Sequence, residues 1–149
     1  MHVPGLRSAY AKTGGIVYFA RMLDKIRLQA AGKLPPGYNV GVHEWLHFDA
    51  RCTRLLGVDW DALVKRVRRG GSDEAILRWC FQHGRQPGEE ELEIWNTFME
   101  KRGWKDRSTP GLEQDKQEAG LGRRKEIQTW FELFDADEQP KKTKPRGGR

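Results

Sequence analysis

The sequence predicts an all-α fold: a compact bundle of five or six short helices followed by a disordered basic tail. Three observations carry that expectation. Apolar residues recur at helical spacing and nowhere alternate convincingly as in a strand. Glycines and capping residues punctuate the chain at helix-length intervals. Among 149 residues, six tryptophans, six phenylalanines and three tyrosines supply enough apolar bulk for one real core. The expected organisation is a single helical domain over residues 1–138 and a tail over 139–149.

The first element lies in GGIVYFARMLDKIRLQAAGK, residues 14–33, which opens on two glycines and continues as a helix. KLPPGYNVG follows as the main long loop. Asp59 then caps WDALVKRVRR, where Trp60, Leu63, Val64 and Val67 form one stripe, and Gly70 with Gly71 makes the next turn. Ser72 caps SDEAILRWCFQHG, Asp73 and Glu74 suit the positive end of its dipole, and Gly84 closes it. GEEELEIWNTFMEKRG begins after Pro87 with glutamates and ends on Lys101, Arg102 and Gly103, again the charge order a helix dipole favours. Ile127, Trp130, Phe131 and Phe134 repeat the helical spacing near the end. Trp79, Trp95 and Trp130 fall on apolar stripes and read as core, whereas Trp45, Trp60 and Trp104 lie near turns, where a ring covers a helix end or rims a pocket.

Charge narrows the function classes. The formal net charge is +6, but five of the 27 basic residues lie in the last nine, leaving 22 basic against 21 acidic residues in the remainder. A near-neutral body argues against specific DNA recognition. KKTKPRGGR has nothing apolar to bury, so it is expected to be a solubilising end or, at most, a weak nonspecific polyanion contact. Cys52 and Cys80 stand far apart without a CxxC pair, which suits reduced thiols. No apolar run approaches the ~20 residues of a membrane span, and MHVPGLRSAYAK lacks the order of a signal peptide. The expectation is a soluble, cytoplasmic protein with no membrane partner.

Two motifs invite a metal. His43-Glu44-Trp45-Leu46-His47 matches HExxH, in which two histidines one helical turn apart hold zinc while the glutamate takes a proton from its water. A third ligand is needed, yet Ala50 and Thr53 stand where a longer zinc motif places glycine and histidine, and Glu74, the next glutamate downstream, is an option that nothing in the spacing forces. The alternative joins His43 and His47 to Cys80 and His83 as a structural site. The plainer reading is a buried thiol and a hydrogen-bonded histidine, both facing the core, and no cofactor is expected.

The first helix poses the sharper question. At 100° per residue, Asp24 and Arg27 fall inside a broad apolar arc, while Arg21, Lys25 and Gln29 are left to the open sector. Three positions apart, Asp24 and Arg27 reach each other. They form either an ion pair fixing the helix, joined by Asp49 or Arg51, or a polar pocket in which Arg27, with Arg21 and Lys25 at its rim, binds an anion. No nucleophile with an adjacent base is visible, so a binding or interaction module is favoured over an enzyme. The alternative is a small zinc-dependent hydrolase using His43, Glu44 and His47.

The segments LRSAYAKTGGIVYFARMLDKIRLQAAGK, FDARCTRLLGVDWDALVKRVRRGGSDEAILRWC and IQTWFELFDADE together resemble the bacterial domain of unknown function 5069, from about Leu6 to Glu138. The most specific pieces are Arg7 and Ser8, Gly14 and Gly15, Arg21, Asp24, Lys25 and Arg27, Gly57 to Asp59, and Thr129 to Phe131. The family pattern often has proline where this chain has Ala9 and Ala20. Proline suits a helix's first turn, so the resemblance implies a helix start near Phe19 after an extended entry over Gly14 to Tyr18. It implies a small helical bacterial protein and brings no assigned activity.

Overall fold

The computed structural model describes residues 1–139. Two short strands, β1 (Lys12–Thr13) and β2 (Ile16–Val17), pair antiparallel with Lys12 opposite Val17 and Thr13 opposite Ile16. Gly14 and Gly15 make the two-residue turn between them, both at positive φ, the conformation a tight hairpin demands. Seven helices follow: α1 (Phe19–Ala30), α2 (Phe48–Leu56), α3 (Trp60–Arg68), α4 (Asp73–His83), α5 (Glu89–Lys101), α6 (Thr109–Glu118) and α7 (Trp130–Glu138).

The fold is therefore mostly helical, but the expected five or six helices become seven among the described residues, and a small sheet is added. Each addition has a physical reason. Strands of two residues are too short to show alternation. The buried positions of α2 are Asp49, Ala50, Cys52, Thr53 and Leu56, too small and polar to make an apolar stripe. Helix α6 buries only Leu112 and Lys116. The expected disordered tail, residues 139–149, lies outside the described residues except for Gln139.

The starts of the predicted helices are fixed as their sequences require. The side chains of Asp59, Ser72 and Thr129 accept hydrogen bonds from the backbone N–H groups of Ala62, Ala75 and Glu132, capping α3, α4 and α7. Helix α1 begins at Phe19 directly after the extended pair Ile16–Val17, with Tyr18 held at φ 74 as its N-cap. Gly84 ends α4 against the end of α2: a Cβ there would lie 2.0 Å from the Leu56 carbonyl oxygen, so no other residue fits without moving backbone.

Helix α1 lies at the centre, with every residue from Phe19 to Ile26 buried. Its apolar side packs with Ile16, Leu56, Leu63, Ile76, Met99 and Phe131 in the main core. Tyr18, Phe48 and Phe131 meet edge to face or stacked at 5.5–6.3 Å between centroids. Leu112, Ile127 and Leu133 form a smaller cluster beneath α6. Of the stripe tryptophans, Trp95 is buried and Trp79 and Trp130 are half-buried. No helix among the described residues is long and apolar enough to cross a membrane.

Candidate functional site

The charges of α1 are divided between two networks that touch where Arg21 Nη1 donates to the Arg7 carbonyl oxygen at 3.2 Å. Asp24 belongs to the outer one. Its carboxylate accepts hydrogen bonds from Arg7 Nε (2.9 Å), Arg7 Nη2 (3.0 Å) and the Arg7 backbone N–H (3.0 Å). Arg27, the partner expected from sequence, reaches Asp24 at 3.5 Å but holds Asp73 more closely, at 2.7 Å. Arg7 closes the ring on Asp73 at 2.6 Å. Burial alone would push the Asp73 carboxyl up, but hydrogen bonds from Arg27 and then Arg7 outweigh it and hold it below the usual carboxylate range.

Arg21 and Lys25 do not lie on an open sector. Both are buried, because the loop after α1 and helices α2 and α7 cover that side. The Lys25 ammonium donates to Tyr18 Oη (2.8 Å) and to the Asn39 carbonyl oxygen (2.6 Å), and it pairs with Asp49 Oδ1 at 2.8 Å. Tyr18 Oη in turn donates to Asp49 Oδ1 at 2.6 Å, and Asp49 Oδ2 accepts from the Gly41 N–H. Burial pushes the Lys25 ammonium below the ordinary lysine value despite the charge of Asp49. Burial and then Asp49 push the Tyr18 phenol well above its own. Arg21 makes a two-pronged pair with Glu138 at 2.6 and 2.7 Å, which also accepts from Tyr38 Oη. Sequence reasoning considered Asp49 for the wrong partner and missed Arg7, Tyr18, Tyr38, Asp73 and Glu138. Only the two-turn spacing of Tyr18 and Lys25 signalled any of this.

This inner network forms the floor of a cleft of about 920 Å³, near the top of the size range for small-molecule sites. Buried Tyr18, Arg21, Lys25 and Asp49 line its floor, and its walls include Arg51, Phe98, Arg102 and Arg107 together with the carboxylates of Asp115 and Glu118 on α6 and of Asp137 and Glu138 on α7. The other side of α1, with Asp24 and Arg27, does not reach it. Arg51 donates to the Leu46 carbonyl oxygen at 3.0 Å and lies 5.1 Å from the Phe98 ring centre, with Arg102 5.5 Å from the same ring. Burial, and then the charges of Arg102 and Arg54, lower the Arg51 pKa. No ion pair among the described residues involves Arg51, Arg54 or Arg107.

The metal motifs are not assembled. Residues 41–47 form bends and turns before α2, so His43 and His47 are not one helical turn apart on a helix. His43 and Glu44 are exposed. The two imidazoles sit at right angles, 5.8 Å between centroids, and His47 Nδ1 is buried without a hydrogen-bond partner. Cys80 is buried, its thiol pushed up to about 12 by burial. His83 does not face the core as expected: it is exposed, stacked on Trp79 at 4.6 Å, and its Nδ1–H donates to the Trp79 carbonyl oxygen. Among the described residues no group of three or more His, Cys, Asp or Glu side chains is placed to hold a metal ion.

The family model for a domain of unknown function (DUF5069) matches residues 3–140, and the chain belongs to that family. No curated protein matches it.

Proposed function

We propose that this DUF5069 protein is a binding module for a small anionic ligand seated in the cleft above Lys25, with Arg51, Arg102 and Arg107 supplying the charge. The observation that carries this reading is Arg51. It is partly buried in the cleft wall, has Arg54 and Arg102 for neighbours, and makes no ion pair among the described residues. Like charges held together in a partly desolvated wall cost free energy, which a carboxylate or phosphate between them offsets with charge-assisted hydrogen bonds.

The inner network has a different part in this reading. Lys25 is already engaged by Tyr18, Asn39 and Asp49, so it anchors the cleft floor. By holding Asn39 and, through Asp49, Gly41, it fixes the loop that walls the cleft, which reduces the ordering cost of binding. The hydroxyls in the cleft are held within the fold, Ser108 Oγ by Asp106 and Trp130 and Tyr18 Oη by Asp49 and Lys25, and binding rather than turnover is the role proposed. The zinc-hydrolase alternative gains nothing from a motif that lies off the helix. A bacterial, cytoplasmic setting belongs to the same proposal, and two free buried cysteines suit a reducing compartment.

Thermal denaturation with inorganic phosphate, pyrophosphate and citrate tests the proposal. A ligand of the folded state at a hundred times its Kd adds about 2.7 kcal/mol and raises Tm accordingly. Arg51→Gln is expected to abolish that rise while leaving the ligand-free Tm nearly unchanged. A panel with no stabilising anion, or stabilisation that survives both Arg51→Gln and Arg107→Gln, would sink it.

A further inference from the structure

Beside the cleft, and sharing Arg51, Phe98 and Arg102 with it, cationic side chains lie over exposed aromatic rings. Trp45 carries the Arg54 guanidinium 3.6 Å above its ring. Arg51, three residues before Arg54 on α2, and Arg102 both lie against Phe98. Two residues beyond Arg102, Trp104 carries the Lys105 ammonium at 5.0 Å. The first two stations are contiguous, since Arg51, Arg54 and Phe98 border one groove and the charges of Arg54 and Arg102 both act on Arg51, and the third follows Arg102 along the chain. All three rings face solvent, with Trp45 69%, Phe98 38% and Trp104 45% exposed.

We infer that this surface binds single-stranded nucleic acid, its bases stacking on Trp45 and Trp104 and its phosphates pairing with Arg51, Arg54 and Lys105. An exposed indole with a guanidinium on one face has the other free for a base, and stacking accepts any base because each has a π-face. The charge is available: Arg51, Arg54 and Lys105 take part in no ion pair among the described residues, whereas nearby Glu91 is held by Arg85 and Asp106 by Arg102. The face is thus locally cationic although the body of the chain is near neutral. The surface shares Arg51 and Phe98 with the cleft, whereas Trp45, Arg54 and Trp104 do not line it, so changes at those three residues test the surface apart from the small anion proposed there.

Fluorescence anisotropy of the full chain with labelled oligothymidylate, and with a duplex of equal length, tests the inference. The basic residues 141–149 contribute to both through charge alone, so the difference between the two probes isolates the aromatic face. Single strand is expected to bind at least roughly tenfold tighter than duplex, with quenching of tryptophan fluorescence. Trp45→Ala and Trp104→Ala, both at exposed positions, should each weaken the single strand by roughly fivefold or more and leave duplex binding unchanged. Arg54→Gln should reduce the slope of log K against log salt by about 0.7. Equal binding of both probes, unaltered by either tryptophan change, would overturn the inference and assign polyanion affinity to the basic C-terminal residues. Displacement of oligothymidylate by polyglutamate at equal charge would also overturn it, in favour of an acidic protein partner.

Discussion

Asp24 and Lys25 are neighbours in sequence, yet each anchors a charged network of a different kind. The outer network is redundant. Asp24 and Asp73 each face both Arg7 and Arg27, whose side chains remain 46% and 35% exposed. The inner network is obligate. Lys25 and Asp49 are 5% and 1% exposed, and Asp49 is the only carboxylate paired with Lys25 among the described residues. Their charge content is similar, but the consequence of losing a member is not. Where water and a second partner stand by, a deletion is absorbed; where neither does, a bare charge is left in the core.

The largest effect should come from Asp49→Ala, which strands the Lys25 ammonium and is expected to cost about 3–5 kcal/mol in chemical denaturation. Replacing both partners, as Lys25→Met with Asp49→Leu, removes the charges together and should recover much of that loss. Failure to recover would mean that the bonds to Asn39 and Gly41, rather than the charges, hold the region. Asp24→Ala comes next, at roughly 2 kcal/mol, because its hydrogen bonds are charged but both arginines keep Asp73 and solvent. Arg27→Ala should cost under about 1 kcal/mol. If Asp24→Ala proved as severe as Asp49→Ala, the distinction between redundant and obligate networks would collapse.

The smallest effect concerns pH. The Asp73 carboxyl titrates below its ordinary value of 3.8 in the folded chain, so between those two values the unfolded chain binds more protons. Its stabilising contribution is complete above about pH 4 and is lost as pH falls through the folded value. A Tm profile over acid pH should therefore fall less steeply for Asp73→Asn than for the parent. Identical acid limbs would show that Arg7 and Arg27 do not hold this carboxylate in solution.

What was legible in the sequence was whatever acts within one or two helical turns. Asp59 and Ser72 reach N–H groups three residues on, and the start of α1 at Phe19 followed from the resemblance. A helical wheel, by contrast, assigns to water any face that is not apolar. Around Lys25 that face is covered by a loop and by α2, with Asn39 and Gly41 offering backbone groups, and nothing in the spacing of α1 specifies how the loop returns. Arg7 meets Asp24 across 17 residues from a segment without periodicity. The cleft and the aromatic face were out of reach for the same reason. Each is assembled from helices and turns whose own patterns describe only how they fold.

The enclosure of α1 also orders the molecule in time. An amide exchanges with deuterium only when its hydrogen bond opens to water, and the centre of α1 has packed side chains on every face from Phe19 to Ile26. Those amides should exchange only through global unfolding, on the slowest clock in the protein. Helix α6, with only Leu112 and Lys116 buried, can detach alone and should exchange through local openings far more often. Mass spectrometry after timed labelling would then see the cleft wall breathe while its floor stays shut.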